Sequence, residues 1–185
     1  MKHLQSGGFQ SNPHMRLTLG LAIVLLSVFW LTNAALFFAH MNLDSASVVA
    51  YYRGDESRFM APRSAESLLE VTHMHLPMFA LVLLLLTHLV IFAPLQRAQK
   101  TALIVAAFGS ALLMEAGGWL TRFAHPGFAW LKLGAFVVFQ LVLAGLLVGL
   151  GAFLVRGASA HPARARGHAR TGRGPRSVPD QGPRA

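Results

Sequence analysis

The chemistry-bearing residues of this chain are histidines, nine of them, and one acid placed deep in an apolar stretch, Glu115. Imidazole binds haem iron, copper and zinc, and it takes up and releases protons near neutral pH. His3, His14, His161 and His168 lie in the polar ends and need no special role. His40, His73, His75, His88 and His125 border or enter apolar runs. An ionisable group at the depth of Glu115 is costly in lipid and is normally partnered or functional. Its expected partners are the neighbouring histidines or Arg122.

The elements that must position these groups are membrane spans. Apolar residues make up 54% of the chain and charged ones only 12%, with the charge confined to the ends and short gaps. Four apolar segments predict helices at about 17–40, 68–93, 101–123 and 130–155. Each is close to the ~20 residues that cross a ~30 Å hydrocarbon layer. The first is longer than the ~7–15-residue apolar region of a signal peptide and reads as an uncleaved helix. Ser67 and Glu70 predict a capping box, Pro77 a loosened turn beside the histidines, and Pro94 a helix end. Gly145 and Gly149, with Ala106 and Ser110, predict close helix approaches. Lys2, Arg16, Arg97, Lys100 and the seven arginines from Arg156 to Arg184 fall on one side, which is therefore cytoplasmic. The predicted fold is an all-α integral membrane four-helix bundle over residues 1–156. Both termini are cytoplasmic, an outer loop spans 41–67, and residues 157–185 form a disordered basic tail.

This topology brings His40, His73, His75 and His125 level at the outer face. His73 and His75 point ~200° apart around their helix, and His88 lies ~22 Å further toward the cytoplasm. One b-type haem near the outer face would take its axial ligands from this set, with His75 and His125 the first pair and His73 or His40 as substitutes. His88, in a leucine-rich run, is a further candidate haem ligand or a bundle contact. Gly117 and Gly118 would give room for a porphyrin. Glu115 would handle protons as the catalytic group of a quinone pocket. Copper or zinc at His75, His125, His73 and His40 is the alternative use of the same cluster. Met41, Met74, Met78 and Met114 read as packing, Gln140 as an interhelical hydrogen bond, and Tyr51, Tyr52 and Arg53 as a cover or docking loop.

Composition also excludes functions. With no cysteine there are no disulfides, thiolate metal sites, iron–sulfur clusters or covalently attached c-type haem. The net charge of +9 does not indicate nucleic acid, because seven of the sixteen basic residues lie from Arg156 to Arg184 and the rest flank the spans. No nucleophile–base arrangement or phosphate-cradling loop points to independent catalysis.

The stretch Tyr51-Tyr52-Arg53-Gly54, followed by Thr72-His73-Met74-His75 and by Gly118-Trp119-Leu120-Thr121-Arg122-Phe123, resembles an uncharacterised family of small four-helix bacterial membrane proteins found near respiratory and cytochrome genes. The resemblance runs from about Arg16 to Arg156. More loosely, the chain is similar to membrane b-type cytochromes, whose paired histidines stand fourteen residues apart; here the intervals are thirteen and fifteen. The expected function is a multi-pass membrane subunit of a respiratory or photosynthetic-type electron-transfer complex in the bacterial inner membrane. It would hold haem b, exchange electrons with quinone and meet other membrane subunits or a periplasmic redox protein. The alternatives are a structural or assembly subunit without cofactor, and copper or zinc binding.

Overall fold

A helix that is apolar on every side gains nothing from water on any face and is stable only inside a large core or a bilayer. Four helices here have that character. The computed structural model describes residues 13–91, 93 and 95–159. Within them run α1 (Pro13–His40), α2 (Ser45–Arg53), α3 (Ala65–Val90), α4 (Arg97–Phe123) and α5 (Ala129–Ser159), with short 3-10 turns at Glu56–Arg58 and Pro126–Phe128. α1, α3, α4 and α5 are each long and apolar enough to cross a membrane, and no strand occurs among the described residues. The all-α four-span architecture expected from the sequence is therefore the observed one.

α5 sits at the centre and α1 at the edge. In its most apolar window 44% of the α5 residues are buried, against 6% for α1, so α1 is the least enclosed of the four spans. The core cluster includes Phe79, Leu83 and Leu86 of α3 and Phe139, Leu143 and Leu146 of α5. The rings of Phe79 and Phe139 lie 5.1 Å apart, and Phe37 of α1 stacks on Phe136 at 3.7 Å. Polar cross-links pin α1 to α5: the Trp30 indole donates to the Gln140 carbonyl and the Gln140 amide donates to Asn33. Gln140 thus makes the interhelical bond expected of it.

Several local expectations are corrected. The outer segment 41–67 is not all loop, because α2 occupies Ser45–Arg53. Asp44 caps it by accepting from the Ser47 N–H, and Gly54 closes it at φ 84°, where an added Cβ would lie 2.6 Å from the Met60 carbonyl. The cap of α3 is Ser64, which accepts from the Ser67 N–H, so the helix starts before the predicted Ser67 box. Its preference follows from geometry: a serine oxygen on extended backbone reaches the third helical N–H. α3 runs through Pro77 as helix and ends at Val90; Pro94 lies outside the described residues. α4 begins at Arg97 behind a Gln96–Gln99 capping box, and the Lys100 ammonium donates to the Ile91 carbonyl beyond the end of α3. α5 continues to Ser159, into the stretch read as tail; the rest of the tail lies outside the described residues. Gly145 and Gly149 face open space, so the close approaches fall elsewhere.

Candidate functional site

Those approaches occur at Gly117 and Gly118. A Cβ on Gly117 would lie 2.9 Å from the Lys132 backbone, and one on Gly118 2.8 Å from the Tyr52 hydroxyl. The glycine pair therefore lets α5 and the Tyr52 ring close on α4. The space expected for a porphyrin is filled by the chain itself.

This close packing brings a set of polar side chains together at the end of the bundle that carries α2. His75 of α3 meets Glu115 of α4, with Nδ1 2.8 Å from Oε1. The Thr72 hydroxyl donates to Glu115 Oε2 at 3.3 Å and accepts from the Trp119 indole at 2.9 Å. Thr72 stands three residues before His75, and Trp119 four after Glu115, so each pair occupies one helix face. Both carboxylate oxygens are engaged, which is the condition for keeping an acid among apolar neighbours. Lys132 is 7% exposed, and its ammonium donates to the Met114 carbonyl at 2.9 Å and lies 5.8 Å from the Tyr52 ring centre.

These groups line a cavity of about 260 Å³ between α1, α2, α3, α4 and α5. Asn33, Phe37 and His40 close it on the α1 side, Tyr51 and Tyr52 lie above, and Phe136 lies on the α5 side. Its outer rim is held by cations used as struts. The Arg63 guanidinium covers Tyr51 at 4.4 Å, the Arg63 N–H donates to the Tyr52 carbonyl, and the Arg122 Nε donates to the Arg63 carbonyl. Burial pushes both tyrosine hydroxyls above their ordinary range, Tyr52 the further. The Glu115 charge adds to the effect at Tyr52, and Arg63 opposes it at Tyr51.

The structure thus brings His75, His40 and Glu115 to one cavity and leaves the other expected ligands out of its walls. His73 and His88 are exposed on α3. His125 is spent on local structure: its Nδ1 accepts from the Gly127 N–H and caps the turn before α5. The expected His75–His125 pair is consequently two separate fixtures, because a cap residue must point back along its own chain. Among the described residues no three histidine, aspartate or glutamate side chains gather as a metal-binding group. Met41 and Met114 are buried in the packing, while Met74 and Met78 are exposed. Arg53 is exposed at the end of α2, whereas Tyr51 and Tyr52 do cover the cavity.

Sequence reasoning missed Thr72, Trp119 and Lys132. Helical spacing from His75 and Glu115 carried a signal for the first two. Lys132 read as a flanking charge, since nothing in the sequence ties it to Gly117.

Four spans long and apolar enough for a bilayer, packed around a partly open cavity with a few polar groups in an apolar lining, define a multi-pass helical membrane protein. A family model described as a transmembrane helical domain, Aq_1264_TM, matches residues 42–161, and the chain belongs to that family. No curated protein and no solved structure matches it.

Proposed function

We propose that this chain is a membrane subunit that binds a quinone-type ring in the outer cavity and exchanges protons with it through His75 and Glu115. The observation that carries this reading is the His75–Glu115 contact at 2.8 Å in the wall of the cavity. Glu115 fixes the imidazole through Nδ1, and the His75 side chain keeps 33% of its surface free. An imidazole oriented by a carboxylate is the common arrangement for general acid–base work. Glu115 also stabilises a positive charge that arrives on the ring.

In the outward direction, a bound quinol gives one hydroxyl proton to His75, and the proton leaves past His40 and Tyr51 at the outer rim. Complete oxidation of one quinol to quinone releases two protons, the second following the first through His75 once that residue has discharged it, and two electrons. The electrons pass to a redox partner subunit at the outer face. The cavity volume of 260 Å³ lies just under the usual range of ~300–1,000 Å³ for small-molecule sites, which suits a ring headgroup whose tail stays in lipid. A haem would have to displace Tyr52 and part α4 from α5 at the two glycines, so the quinone reading is the better supported of the two.

Trp119 lines the cavity, so intrinsic fluorescence is a direct probe. Titrating purified protein in nanodiscs with a decyl-tailed benzoquinone should give saturable quenching. His75→Ala and Glu115→Gln should each weaken it by roughly tenfold or more, as expected for loss of a charged hydrogen bond. His73→Ala, on the exposed face of α3, should leave it unchanged. Quenching that rises linearly and equally in all four proteins would refute the assignment. A Soret band in the extracted protein that His75→Ala removes would replace it with haem.

A further inference from the structure

We propose that Lys132 is a second ligand-binding group of this cavity, one that donates to a second oxygen of the bound ring and so makes the site selective for rings carrying two oxygens. The inference rests on the quinone reading above and adds the chemistry that the His75–Glu115 pair does not specify.

A lysine ammonium has three N–H donors and no acceptor. Lys132 is buried to 7% exposure, yet among the described residues its one hydrogen-bond acceptor is the Met114 carbonyl at 2.9 Å. The Tyr52 ring, at 5.8 Å, lies at the outer limit of a cation–π contact. Two N–H groups of a desolvated ammonium thus lack a protein acceptor, and Lys132 lines the cavity wall. Buried donors without acceptors are expensive, and a ligand oxygen in the cavity removes that cost. Glu115 is near enough to attract the ammonium through space, but no hydrogen bond joins the two; the Nζ donates to the Met114 carbonyl instead.

The polar groups of the lining come from different helices. His75 and Glu115 approach from α3 and α4, and Lys132 from α5. Phe37 and Phe136 supply the apolar surface beside them. A flat ring with two oxygens can engage both groups: one oxygen trades its proton with His75 while the other accepts from Lys132. A ring with a single oxygen satisfies one of these groups and leaves the other bare.

The test compares decylhydroquinone with decylphenol, which lacks the second oxygen, each displacing the quenching decyl-benzoquinone from protein in nanodiscs. The native protein should prefer decylhydroquinone by roughly ten- to hundredfold, the usual value of a hydrogen bond to a charged group. Lys132→Met should bind both phenols alike, and Lys132→Arg should keep the preference. Equal binding of the two phenols by the native protein overturns the role of Lys132 without any variant having to fold. A Lys132→Met protein that retains the full preference does the same. Both results leave the His75–Glu115 reading standing, whereas failure of the native protein to bind the benzoquinone at all removes the cavity assignment and this inference together.

Discussion

Tyr51 and Tyr52 are the only tyrosines in the chain, which makes their ionisation directly visible. Tyr52 is buried against Gly118 near the Glu115 charge, and Tyr51 sits under the Arg63 guanidinium. Burial favours the neutral phenol at both, and the negative charge of Glu115 favours it further at Tyr52. A phenolate absorbance titration should therefore show no ordinary tyrosine step near pH ~10, with Tyr51 ionising before Tyr52. The linkage has a definite sign. A folded-state pKa raised above the unfolded one contributes stability that is complete below pH ~10 and falls as pH climbs past it. Replacing Glu115 with Gln should bring the Tyr52 step down toward the ordinary value while leaving Tyr51 nearly in place. A Tyr52 step that does not move would mean that the carboxylate is not the neighbour described.

At the scale of elements, the bundle closes where α4 is bare. Gly117 admits the α5 backbone and Gly118 admits the Tyr52 ring of α2, so two consecutive glycines serve two different neighbours. Gly117→Ala forces a methyl against backbone atoms that have no rotamer to escape into. It should cost about 1–3 kcal/mol, the usual penalty for overpacking. Gly118→Ala meets a ring edge and should cost less stability but disturb the cavity roof. Gly145→Ala, in open space on α5, should be neutral or slightly stabilising, since alanine is the better helix former. Thermal denaturation of the three variants in detergent checks the order. Equal stability of Gly117→Ala and Gly145→Ala would place the helix contact elsewhere.

At the scale of the molecule, orientation follows from charge. Counting Lys and Arg places Ser57, in the segment between α2 and α3, outside and Gln99, in the first turn of α4, inside. The chain has no cysteine, so Ser57→Cys and Gln99→Cys each introduce a unique label site. A membrane-impermeant maleimide should modify Cys at position 57 in intact cells, and at position 99 only after the membrane is opened. The reverse pattern would turn the cavity toward the cytoplasm and redirect the proton path with it. α1 is the least enclosed span and is attached to α5 through Trp30, Asn33 and Phe37.

Span number and helical class were legible in the sequence because hydropathy is a one-dimensional property: a run of apolar residues crosses a bilayer whatever its neighbours are. The partnership of Glu115 with an outer histidine was legible for a related reason. Depth along each helix follows from residue count, and His75 and Glu115 fall at the same level. Which histidine it would be, and which groups would share the cavity, was decided by rotation and contact between helices, and these depend on side chains far apart in the chain. His125 matched in depth but was taken up by its own turn, His73 pointed outward, and Lys132 was drawn inward by an acceptor on α4 that no local pattern announces. Gly145 and Gly149 had the right spacing for a contact and no partner, while Gly117 and Gly118 found two. Spacing along one helix specifies a face, and only the packed bundle determines what that face meets.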